Sequence, residues 1–171
     1  NFAISPQGIG RFRCNAFIQQ GHVGIVMRTI PQTLPTVEAL GLPLRALLLI
    51  TPGTTAHADT ATHKLFANGF LLDAVTIEWF FEQYIDRSQR SDWRFAPLNA
   101  DSLDGVAPAC VLLAECDPLC DEGLAYADRL RTAGVPVSLE LYRGLTHDFI
   151  KMGRALKEAA LAQQAAADAL T

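Results

Sequence analysis

"PACVLLAECDPLCDEGLAYADRLRTAGVPVSLELYRGLTHDF", residues 108–149, carries the pattern that decides the fold. Residues 108–115 form a nearly continuous apolar run of strand length, as expected of a strand buried on both faces. Residues 120–134 place Leu124, Ala127 and Leu130 on one helical stripe, with Gly134 positioned as the stop. Residues 135–142 then read as a further strand. Strand, helix and strand in that order imply parallel strands joined by a right-handed crossover.

The same texture extends outward. "LRALLLI" (44–50) is another apolar run and predicts a strand buried on both faces. "AVTIEWFFEQYI" (74–85) predicts a helix whose wide apolar face includes Ile77, Phe81 and Tyr84. Residues 147–170 predict one long Ala-rich helix. The texture changes before position 43. "RFRCNAF" (11–17) alternates polar and apolar residues, and "GHVGIVMRTI" follows a Gln-Gln-Gly turn. Together they predict a β-hairpin. "PTVEALGLP" predicts a short helix with Thr36 as N-cap and Gly41 as stop. The expected organisation is a β-rich segment over 1–43 and an α/β unit over 44–171. The expected fold class is α/β, with three parallel strands, flanking helices and the N-terminal β-hairpin.

Composition narrows the function. A chain of 171 residues, half of them hydrophobic, is enough for one domain with a real core. A net charge of −4 gives no electrostatic footprint for nucleic acid. Leu47–Ile50 is far too short an apolar run to span a bilayer. The chain opens on Asn1 without Met or a signal pattern, and reads as beginning in mid-domain. Cys14, Cys110, Cys116 and Cys120 form no CxxC pair, so no metal site is expected and no cofactor is implied. All four read as reduced thiols of a cytoplasmic protein.

The chemistry sits at the strand ends, where open parallel sheets place their sites. Asp117 follows one strand and His147 follows the next. A buried carboxylate that accepts from an imidazole fixes its tautomer and stabilises the imidazolium. The plainer alternative stays open on the residues alone: Asp-Pro is a common turn start, and a loop histidine is often only solvated.

From about Pro43 onward the chain resembles the C-terminal half of the hormone-sensitive-lipase-like branch of α/β-hydrolases. The "AECDPLCDEG" block (114–123), the following "YADRLRTAGVPVSLELYRGLTHDF", and "FANGFLLD" (66–73) carry the resemblance. It implies that Asp117 is the triad acid, that His147 is the general base, and that the three strands are the family's last three. The family's nucleophile lies in a G-x-S-x-G elbow. This sequence contains no such elbow and no Gly-rich oxyanion loop. Residues 1–43, through "GIGRFRCNAF" and "RTIPQTLPT", instead resemble a segment of the type IV pilus twitching-motility ATPases. No G-x-x-x-x-G-K-[ST] loop is present, so no ATPase activity is implied. The chain therefore reads as a chimera joined near "GLP".

The missing serine leaves other nucleophiles to weigh. Ser5, Ser88, Ser91, Ser102 and Ser138 have no local elbow. Cys116 and Cys120 share a loop with Asp117 and are the thiol candidates, against the simpler reading that they fill space. His57 and His63 read as surface residues of the loop after the first parallel strand. Trp79, Phe80 and Phe81 read as core, although in the resembled family an aromatic segment here walls the substrate site. The expected function is a weak carboxylic ester hydrolase of short acyl esters, with a small-molecule ester as its partner. The alternative is a catalytically inactive chimeric fragment that folds by self-association. Strand 44–50 has an unprotected edge, so a homodimer or higher homo-oligomer is expected.

Overall fold

In a computed structural model of the chain, the backbones of residues 2–4, 11–19 and 22–30 and the whole of residues 44–170 are described. The chain divides into two compact units, Asn1–Pro43 and Leu44–Thr171. In the first, strands β1 (Phe2–Ile4), β2 (Arg11–Gln19) and β3 (His22–Ile30) form an antiparallel sheet in the order β1-β2-β3. The expected hairpin is β2–β3, whose register pairs Gln19 with His22 and leaves a two-residue connection. Strand β1 is an addition to it. The short helix expected over 35–43 lies outside the described residues.

The second unit runs β4 (Leu47–Ile50), α1 (Ala61–Leu65), α2 (Ala74–Tyr84), β5 (Ala109–Cys116), α3 (Cys120–Thr132), β6 (Val137–Thr146) and α4 (Lys157–Asp168). Its three strands are parallel, in the order β4-β5-β6. The apolar run that decided the fold is the central strand, and its alternate residues serve two layers. Cys110, Leu112 and Ala114 pack with Phe149, Ala159 and Ala162. Val111 and Leu113 pack with Ala127 of α3 on the other face. Burial of Leu112 and Leu113 stabilises the unit by about 1.5–3 kcal/mol each. Among the described residues β4 ends the sheet, in line with the edge expected of it, whereas Leu47–Leu49 are only half-buried and not covered on both faces.

Helix α3 ends as the sequence predicts. Gly134 takes a left-handed φ of 79°, Val135 N–H donates to Leu130 O, and Gly134 N–H donates to Arg131 O. Near its start, Gly123 lets the helix lie directly on β5. A Cβ there would fall 2.5 Å from Leu113 Cδ2.

The long helix expected over 147–170 is broken. A 3-10 turn (Phe149–Met152) precedes α4, with Gly153–Leu156 between them. The core explains the break. Phe149 and the Ala159, Ala162, Ala166 stripe all enter one cluster. On an unbroken helix Phe149 would point about 80° away from Ala159 at 100° per residue. The interruption rotates both onto the sheet. In α2, only Ile77 is buried. Trp79 and Phe80 are more than half exposed, so the core reading fails for them, while Phe81 packs on the small Leu72–Ile77–Leu119 cluster.

Candidate active site

Parallel pairing of β5 with β6 brings their carboxyl ends side by side. Asp117 is the residue after β5, and His147 is the residue after β6. Strand β6 continues four residues beyond the expected 142, through an irregularity that shifts the register between Ala114–Tyr142 and Cys116–Thr146. Gly144 makes it possible with a φ of 70°, and its N–H donates to Glu115 Oε2 at 2.7 Å. The bulge carries the chain forward to His147. The chain then turns sharply. Asp148 is left-handed at φ 61°, a conformation that Asp tolerates better than most residues. Phe149 is buried against Tyr142, with ring centroids 4.9 Å apart.

The two side chains meet. His147 Nδ1 lies 2.8 Å from Asp117 Oδ2. The carboxylate is 1% exposed, whereas the imidazole is 20% exposed. Asp117 Oδ1 accepts from Leu119 N–H at 2.9 Å, so both oxygens of the buried acid are occupied. An ionised carboxylate only accepts, so Nδ1 carries the proton and Nε2 keeps a lone pair. This is an imidazole prepared to take a proton from a nucleophile or water.

The thiols do not compete equally. Cys110, Cys116 and Cys120 are free. Cys120 is buried, and burial pushes its thiol up to about 11, with Asp121 and Asp117 adding to the rise. Its thiolate is scarce at neutral pH, which weakens it as a nucleophile. Cys116 is half-buried at the end of β5. Ser88, Ser91, Ser102 and Ser138 are all exposed. Ser5 lies outside the described residues. Among the described residues, the side-chain hydrogen bond of His147 is the one to Asp117.

The sequence reading missed a second acid–imidazole pair. His63 is buried rather than on the surface, because its ring lies 3.2 Å from the equally buried Glu122 Oε2. His57 is exposed, as expected. The available signal was the "DEG" of 121–123: an acid on the inner side of a helix stripe requires a buried partner. Arg90 is likewise buried, bonded to Glu78 at 2.8 and 3.0 Å and lying over the Phe81 ring.

Comparison with known proteins finds relatives of two kinds. The alpha/beta hydrolase fold profile matches residues 26–151. The ethyl acetate hydrolase of Pseudomonas putida is 44% identical over 137 residues, covering 80% of this chain and 43% of that protein. A thermostable esterase from Pseudomonas putida superposes with a TM-score of 0.69 at 38% identity, covering 75% of this chain and 43% of that one. The type IV pilus ATPase PilU of Pseudomonas aeruginosa is 58% identical over 43 residues, covering 25% of this chain and 11% of that protein. The chain thus spans less than half the length of these relatives. No helix among the described residues is long and apolar enough to cross a membrane.

Proposed function

The chain belongs to the alpha/beta hydrolase fold family, and from that membership we propose that it is a carboxylic ester hydrolase of short acyl esters in which Asp117 is the acid and His147 the general base. The observation that carries this reading is the 2.8 Å bond from His147 to a fully buried Asp117 at adjacent strand ends. The identity to an ethyl acetate hydrolase supports a small ester as substrate. His147 Nε2 takes a proton from the attacking group, and the Asp117 carboxylate stabilises the imidazolium that forms. Within the residues given, which hold no G-x-S-x-G elbow, the attacking groups on offer are water and a recruited side chain. General base catalysis alone contributes on the order of 10²–10⁴-fold, well below a complete triad. The free thiols support a reducing, cytoplasmic setting.

The test is hydrolysis of p-nitrophenyl acetate before and after treatment with a serine-directed phosphonate and, separately, a thiol alkylator. Activity that survives both points to water activated by His147. Loss with the phosphonate would assign the attack to one of the five serines. Loss with the alkylator would assign the attack to Cys116 or Cys120.

The PilU identity supports a chimeric origin, and the second reading is that such a chain has no catalysis and folds by self-association. A chain that hydrolyses no ester at any acyl length would establish it over the first.

A further inference from the structure

We propose that Glu122 is a positioning residue for the Asp117–His147 pair: its carboxylate locks the loop after β4 and the start of α1 onto the first turn of α3, and so fixes the turn that presents Asp117. The proposal rests on the acid–base reading of that pair.

Glu122 is 2% exposed, and its carboxylate accepts three hydrogen bonds and one close imidazole contact. Thr54 N–H and Thr55 N–H both donate to Oε1, the latter at 3.1 Å. Thr55 Oγ1 donates to Oε2 at 3.0 Å, and His63 Nε2 stands 3.2 Å from the same oxygen. His63 is itself held through Nδ1, 2.7 Å from Thr60 Oγ1. Thr54 Oγ1 also donates to the Glu122 carbonyl at 3.1 Å. A buried carboxylate persists only when its oxygens are filled in this way. Burial still pushes the Glu122 carboxyl upward, against the donors that lower it.

The neighbouring contacts carry the clamp to the acid. Asp121 Oδ2 accepts from Thr62 N–H at 2.9 Å. Thr62 Oγ1 donates to the carbonyl of Pro118, the residue after Asp117, at 2.8 Å. Only the short Asp117–Leu119 turn separates β5 from α3, so a shift of the first helical turn displaces Asp117 directly. Thr51, buried at the start of the clamped loop, holds a φ of 41°, which a β-branched residue adopts only when its surroundings impose it. Thr51 N–H donates to Leu112 O at 2.8 Å, and the bonds from Thr54 and Thr55 to Glu122 hold the loop that follows it.

The test uses the full chain and reads the proton on His147 Nδ1 by low-field ¹H NMR, assigned by its loss in His147→Gln. Glu122→Gln turns one acceptor toward Thr55 Oγ1 and His63 into a donor. It is expected to move the resonance upfield and to speed its exchange with water about tenfold or more. Thr55→Val deletes one donor, keeps the carboxylate, and is expected to act in the same direction to a smaller extent. Leu103→Ala, a core change outside the clamp, is expected to leave the signal unmoved. An unmoved signal in Thr55→Val and in any folded Glu122→Gln, or an equal effect of Leu103→Ala, overturns the proposal and leaves the acid–base reading standing. A wild-type chain with no low-field proton overturns both.

Discussion

The imidazole of His147 keeps its Nε2 lone pair only while Asp117 holds the proton on Nδ1. Asp117→Asn is isosteric, yet its amide can donate to Nδ1 and drive the proton to Nε2. Any His147-dependent hydrolysis is therefore expected to fall by about 10²–10⁴-fold with little change in melting temperature. An Asn variant of wild-type rate would show that the bond orients nothing. Cys120 gives a second test at this scale. With its thiol at about 11 rather than near 9, its thiolate fraction at pH 7–8 is about 100-fold lower than that of an ordinary cysteine, and alkylation should be slower in proportion. The sign of the linkage follows: the native state holds that proton more tightly than the unfolded chain. Stability is unaffected well below pH 9 and falls as pH rises from there toward 11. Denaturant titrations of wild type and Cys120→Ala across that window should converge if Cys120 is the cause. Asp117 and His147 stood out as an acid and an imidazole after successive strands, and the family resemblance of the blocks around them paired the two. His63 did not, because a polar residue on an otherwise polar loop gives no sign of the partner that buries it, and Glu122 signalled only that some buried partner must exist, not which one.

At the scale of elements, the close packing of α3 on β5 depends on Gly123. Gly123→Ala brings a methyl to 2.5 Å from Cδ2 of the buried Leu113, so the side chain or the helix must shift. Overpacking of this kind costs about 1–3 kcal/mol. A denaturation midpoint that falls for Gly123→Ala, and recovers in part with Leu113→Val, is the expected result. Equal stability of wild type and Gly123→Ala would mean that the helix lies farther from the strand. The three parallel strands and α3 were legible because apolar runs and a helical stripe are local signals. Helix α1 is five residues with one buried side chain, too short to show a periodicity. The extension of β6 depends on a bulge at Gly144, and the break before α4 depends on the angle between Phe149 and an alanine stripe. Both are tertiary demands that no local pattern records. The exposure of Trp79 and Phe80 is of the same kind, since helical spacing alone does not say which side of α2 finds a neighbour.

At the scale of the whole molecule, among the described residues β4 and β6 end the parallel sheet and β5 is paired on both sides. A strand edge at β4 is a template for a second copy, and we propose a two-fold dimer formed through it. Light scattering over a dilution series should give twice the 18.6 kDa chain mass at micromolar concentration. A stable monomer would contradict the dimer while leaving the site untouched. The account as a whole turns on His147, and the most direct measurement is the initial rate of p-nitrophenyl acetate hydrolysis by purified wild type and His147→Ala. The account predicts a measurable wild-type rate that drops by about 10²–10⁴-fold, to the uncatalysed background, when the imidazole is removed. A His147→Ala chain that hydrolyses the ester as fast as wild type would contradict it.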